Sequence, residues 1–168
     1  MSQDRDASVQ RELNMMEWDA GMGTMLEVCR DFIRGAPNRI VEEQLQFVNG
    51  NRRGVIGCKV YPRGRNAYYR DGRVFEINTM MVSPSGGDIV HRTALALFGD
   101  RSLGIDCIRI ESVLDDSLLR RYVRKGWVLR SQFDNSPLLT REAYIRIQTN
   151  ARRITRAFRR ARSKRNAP

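Results

Sequence analysis

The chain has 168 residues, 41% hydrophobic and 29% charged, which suits one domain with a buried core plus appendages. Thirty lysines and arginines against 19 acids give a formal charge of +11, a balance that favours anionic partners. No apolar run is long enough for a membrane span, the start MSQDRDASVQRE is too polar for a signal peptide, and three scattered cysteines with one histidine suggest neither a disulfide framework nor a zinc site.

Residues 1–36 read as helical. Met15, Trp18, Met22, Met25, Cys29 and Phe32 fall at helical spacing, broken at Gly21 and Gly23, and Thr24 is placed to cap a second helix that stops at Gly35. Gln44–Asn49, an Asn49-Gly50 turn and Gly54–Tyr61 read as a β-hairpin. Arg52, Arg53, Arg63, Arg65 and Arg70 group around that hairpin and the following loop with Tyr68 and Tyr69, a combination able to grip phosphate and stack on bases.

Val74–Pro84 follows as a strand whose Ile77, Met80, Met81 and Val82 suit burial on both faces. Ser85-Gly86-Gly87 turns the chain, and Asp88 is positioned to cap a helix that runs to Phe98 and ends at Gly99. Ile105–Val113 is the next strand, and Cys58 and Cys107 lie in predicted strands as small buried hydrophobes, in keeping with synthesis in a reducing cytoplasm. A helix opening at Asp115 or Asp116 sets Leu118, Leu119, Tyr122 and Val123 on one side and Arg120, Arg121, Arg124 and Lys125 largely on the other. Strand, crossover helix and strand make a βαβ unit, so part of the sheet is expected to be parallel.

Residues 141–168 form a basic tail: Ala151–Pro168 carries +8 with no acid, leaving +3 for the first 150 residues. Tyr144, Ile147, Ala151, Ile154, Phe158 and Ala161 make a two-position heptad stripe on a helix that Thr140 can cap. The candidate partner-binding residues are Arg152, Arg153, Arg156, Phe158, Arg159, Arg160, Arg162, Lys164 and Arg165, facing other protein subunits or nucleic acid.

In this order the elements from about Gln44 to Leu139 resemble the Gcn5-related N-acetyltransferase (GNAT) superfamily. The resemblance rests on the hairpin with GVIGCKVY, on Glu76–Val82 as the central strand, on Ile105–Val113 as the strand that splays from it, and on YVRKGW, similar to the family's Tyr-x-x-x-Gly-aromatic signature. VLRSQF and SPLLTRE would supply the last strands. The resemblance implies an α/β (α+β) fold: a mixed, mostly antiparallel twisted sheet with a central parallel βαβ unit flanked by helices, here plus the basic C-terminal helix. The domain is then 1–140, with its sheet core over 44–139.

Carried over by position, the resemblance makes Glu76 the candidate base, Tyr122 the candidate acid, and the backbone of Val82, Gly86 and Gly87 the holder of acetyl-CoA. Where the family has a basic residue and spaced glycines, this chain has only Ser85-Gly86-Gly87-Asp88, and the Asp88 carboxylate stands where a diphosphate would approach. His91 and Arg92 lie one turn further in, placed to compensate that charge in part. The sequence therefore reads as a catalytically degenerate GNAT-fold protein with no bound cofactor, serving as an assembly component of a phage virion or another nucleoprotein particle. The alternative is a working acyl-CoA-dependent N-acetyltransferase.

Overall fold

The computed structural model describes residues 23–83 and 88–165, the last two by backbone only, so Met15, Trp18 and Met22 of the N-terminal stripe lie outside the described residues. Helix α1 spans Met25–Gly35. Its start is a reciprocal capping box: the Thr24 hydroxyl accepts from Glu27 N at 3.3 Å, and the Glu27 carboxylate accepts from Thr24 N at 2.9 Å. Met25, Cys29 and Ile33 are its buried face, so Ile33 rather than Phe32 completes the stripe.

Strands β1 (Val41–Asn49) and β2 (Arg52–Tyr61) form the hairpin, with Gly50 and Asn51 as its two loop residues and Asn49 opposite Arg52. The hairpin is longer than its apolar pattern, because Val41–Glu43 pair with Cys58–Val60 through backbone bonds that do not depend on hydrophobic side chains. Strand β3 (Val74–Ser83) pairs antiparallel with β2, then parallel with β4 (Cys107–Ile110), which pairs antiparallel with β5 (Leu138–Thr140). The sheet order is β1-β2-β3-β4-β5, the mixed, mostly antiparallel arrangement with one parallel crossover expected for a GNAT-like fold.

Between β3 and β4 lie helix α2 (Ile89–Gly99) and a 3₁₀ turn, Arg101–Leu103; between β4 and β5 lies helix α3 (Asp116–Arg124). Asp115 caps α3 through its carboxylate, which accepts from Ser117 N and Leu118 N. Val123 is 42% exposed, so the apolar side of α3 is Leu118, Leu119 and Tyr122 alone. Of the predicted last strands, Val128 contributes a single bridge to Leu138 and SQF forms a bend.

One face of the sheet holds Phe47, Phe75, Ile77, Ile108 and Ile110 and is covered by α1 and α2 in one apolar core. The other face, carrying Val74, Glu76, Cys107 and Arg109, is closed largely by the loop from Pro62 to Arg73. Arg52 and Arg53 stand at the start of β2, while Arg63, Arg65 and Arg70 lie beyond its other end. A ten-residue strand separates the two groups by roughly 30 Å, so the arginines and tyrosines around the hairpin do not form one patch.

Helix α4 (Arg141–Arg165) begins at Thr140, whose hydroxyl accepts from Ala143 N at 3.2 Å as a cap. Its first turns dock on the domain: Tyr144 stacks on Phe98 with centroids 5.2 Å apart, and Ile147 packs on the core. From Asn150 to Ser163 every residue is exposed, so the stripe splits into a packed half and a solvent half.

Gly54 marks the tightest approach between the hairpin and β3. A methyl there would overlap the buried Phe47 ring and meet the Met81 carbonyl oxygen at 2.8 Å. Gly54→Ala is expected to lower unfolding free energy by about 1–3 kcal/mol, read as a lower urea midpoint at unchanged slope; an unchanged midpoint would mean that the strands part without strain.

Candidate functional site

The site expected from the sequence lies where β3 and β4 part. They pair only over Val74–Ile77 and Cys107–Ile110, closed by Glu111 N donating to Ile77 O at 2.8 Å. At that point β3 carries a bulge: Gly57 faces Thr79 and Cys58 faces Ile77, leaving Asn78 as the extra residue. On the other side the chain leaves β4 through Ser112, a non-glycine residue at φ 49°. Beyond Ile77 the strand pairs only with β2, so Asn78–Val82 presents one backbone edge without a strand partner among the described residues. Val82 lies on that edge; Gly86 and Gly87 lie outside the described residues.

Tyr122 lies on α3, in the apolar core. It is 7% exposed, packs against Trp127 with centroids 5.2 Å apart, and its hydroxyl makes no hydrogen bond among the described residues. Burial pushes its pKa up to about 12, with the Asp88 carboxylate adding to the rise and Arg121 opposing it, so the phenol stays protonated. Its setting depends on Gly126, at φ 104°, where a Cβ would meet Ile147 Cγ1 of α4 at 2.7 Å. That glycine turns Trp127 back so that its N–H bonds Tyr122 O at 3.1 Å, which explains the spacing in YVRKGW.

Asp88 does not cap α2 with its side chain. Its carboxylate pairs instead with Lys125 Nζ at 2.5 Å, and that bond holds its pKa below the usual carboxylate range. The negative charge expected to repel a diphosphate is therefore countered by a lysine three residues beyond Tyr122. His91 gives no compensating charge: Trp127 Nε1 donates to His91 Nδ1 at 3.0 Å, so the ring is a neutral acceptor. Burial first, and then Lys125, push its pKa below the ordinary 6.5, against a weaker opposing effect of Asp88.

Glu76 sits elsewhere. It is 1% exposed and opposite Arg109, itself 3% exposed, across the parallel pair, with Arg109 Nη1 to Glu76 Oε2 at 2.5 Å. Tyr61 Oη and Asn66 Nδ2 also donate to it, each at 3.3 Å. Arg109 in turn donates to Ser136 Oγ at 3.1 Å and lies over the Tyr68 ring at 3.7 Å. The carboxylate is buried and accepts from three donors rather than facing solvent. The structure thus separates the two residues expected to act together: Tyr122 belongs to the α2 face and Glu76 to the loop-covered face.

Glu111 is the carboxylate that sequence reasoning passed over. It is half-buried at the mouth of the opening and makes no ion pair among the described residues. Its only signal was its place at the end of the β4 pattern. The described residues contain no cluster suited to a metal ion and no helix long and apolar enough to cross a membrane. A cavity of about 520 Å³ lined by Asn38, Arg39, Ile40, Pro62, Arg63 and Arg65 lies at the far end of β2, away from Tyr122.

No family model matches the chain, and no curated protein matches it. Two solved structures are similar: a KacTA–DNA complex, at 14% identity over 78% of this chain and 90% of that one with a TM-score of 0.38, and a mutant of KacT, at 12% identity over 77% and 92% with a TM-score of 0.39. At such scores the likeness carries no weight for activity or partners.

Two outcomes test these side chains. Arg109→Ala strands a buried carboxylate and should cost about 3–5 kcal/mol, while the double variant Glu76→Leu with Arg109→Met should recover part of that loss; equal losses in both would argue against the ion pair as the source. Folded His91 resists the proton that the unfolded chain accepts below 6.5, so its contribution is full above that value and lost as pH falls beneath it. Urea midpoints should drop between neutral pH and about 5.5, and His91→Gln, which keeps an acceptor for Trp127, should flatten the drop.

Proposed function

We propose that the chain is an acyl-CoA-dependent N-acyltransferase with Tyr122 as its general acid. The Tyr122 hydroxyl carries this reading: it is protonated at neutral pH, makes no hydrogen bond among the described residues, and lies within electrostatic reach of Asp88 at the start of α2. A bound acyl-CoA would supply an activated thioester. The edge of Asn78–Val82, which pairs with no second strand among the described residues, suits an extended chain of amides that adds to a sheet edge. The N-terminus of α2, with Asp88 paired to Lys125, suits a diphosphate.

In this reading Tyr122 Oη holds a proton for a departing thiolate, and the proton of the attacking amine passes to water. Glu76 is a positioning residue, because its pair with Arg109 holds the base of the opening. The parallel reading, a reused scaffold without catalysis, has one observation in its favour, the engagement of Glu76. Neither solved neighbour bears on the particle-assembly role or on a virion location.

Calorimetric titration of the folded protein with acetyl-CoA should detect binding that Tyr122→Phe retains. The same variant should lose about 10²–10⁴-fold in acetyl transfer to an amine. A folded wild-type protein that binds no acetyl-CoA would sink the proposal, as would a Tyr122→Phe variant of full activity.

A further inference from the structure

We infer that the free half of α4 is a nucleic-acid-binding arm that docks on the phosphate backbone without reading sequence. Arg152, Arg153, Arg156, Arg159 and Arg160 are all exposed and helical. At about 100° per residue they fall within about 120° of the helix surface, in a strip about 12 Å long. Ile154 and Phe158, 58% and 73% exposed, fall on the opposite side. The arginines therefore form one continuous cationic face and not a random solvated coat.

Among the described residues no acid pairs with that face. Glu142 is the last acid in the chain, and the only ion pair of α4 among the described residues joins it to Arg146. Arg152 and Arg156 stand four apart, as do Arg156 and Arg160, a spacing at which like charges weaken an isolated helix. A polyanion removes that repulsion, so binding and helix order reinforce one another.

Charge density selects the occupant. Five cations over the strip amount to one per about 2.4 Å, against one phosphate per about 1.7 Å of duplex axis. Arginine forks match phosphate oxygens two at a time, and seven of the eight tail cations are arginine. An anionic membrane is a poorer fit, since an interfacial helix needs a broad apolar face and this one offers two large apolar side chains. The basic surface also extends onto the domain: a groove of about 310 Å³ at the root of the arm is lined by Arg101, Arg141, Tyr144, Gln148 and Arg152. The inference does not depend on Tyr122 or on catalysis.

The test uses the full chain and fluorescence anisotropy of a labelled duplex of about 20 base pairs, in two unrelated sequences, from about 50 to 200 mM salt. Five neutralised phosphates predict a slope of log K against log salt near −4.5, about 500-fold between those limits, equal for both sequences. Replacing Arg152, Arg153, Arg156, Arg159 and Arg160 together by Gln should weaken binding at least 100-fold and flatten the slope, with the thermal midpoint and acetyl-CoA titration unchanged. Absence of duplex binding at the lowest salt would overturn the inference, and so would undiminished binding by the five-fold variant. Equal or tighter binding to polyglutamate or to phosphatidylserine vesicles would overturn it in favour of an acidic protein or a membrane.

Discussion

The buried pair of Glu76 and Arg109 is the interaction on which the rest of the domain hangs. It joins neighbouring strands at the only parallel pairing among the described strands, and each partner draws in a further segment. Asn66 binds Glu76 through its amide N–H and holds Tyr68 N and Tyr69 N through its carbonyl, so the loop before β3 is moulded onto the pair. Ser136 accepts from Arg109 and from Ser112 N, which fixes the bend where the chain leaves β4. Charges this deep are weak sources of net stability but costly to unpair. Their value here is geometric, since together they set the point at which β3 and β4 separate.

That separation creates whatever site the domain has. Parallel strands that stayed paired would leave no edge for a ligand; the Asn78 bulge and the bend at Ser112 pull them apart within two residues of the last pair. Around α2 and α3, Asp88 and Lys125 form an ion pair, while Trp127 meets both His91 and Tyr122 through ring contacts and hydrogen bonds. A protonated phenol and a neutralised helix N-terminus lie close together, and neither feature requires the basic phosphate turn that the chain lacks.

Helix α4 couples this domain to a surface of different character. Its first ten residues complete the core through Ala143, Tyr144 and Ile147, while residues 151–163 are all exposed and strongly basic. The same element is thus structural at one end and available for partners at the other. Because Ile147 also abuts Gly126, the root of the arm touches the turn that seats Trp127 beside Tyr122.

Much of the fold was legible in the sequence, because the signals that announce it are short-range. The capping boxes and caps at Thr24, Asp115 and Thr140, the helical spacing of Met25 and Cys29, the hairpin, and the Gly126-Trp127 turn each depend on residues within a few positions of one another. So does the charge of the tail, which follows from composition alone. What the sequence could not decide was which distant side chains meet. Glu76 reads as a candidate base on the central strand until Arg109, 33 residues away, is brought opposite it. Asp88 reads as a cap and a repellent charge until Lys125 claims it, His91 as a spare cation until Trp127 makes it an acceptor, and the tail stripe as one face until the domain ends beneath it. Local pattern sets where helices and strands begin and end; burial, pairing and protonation follow from contacts across the sheet, and only the tertiary structure brings those groups within reach.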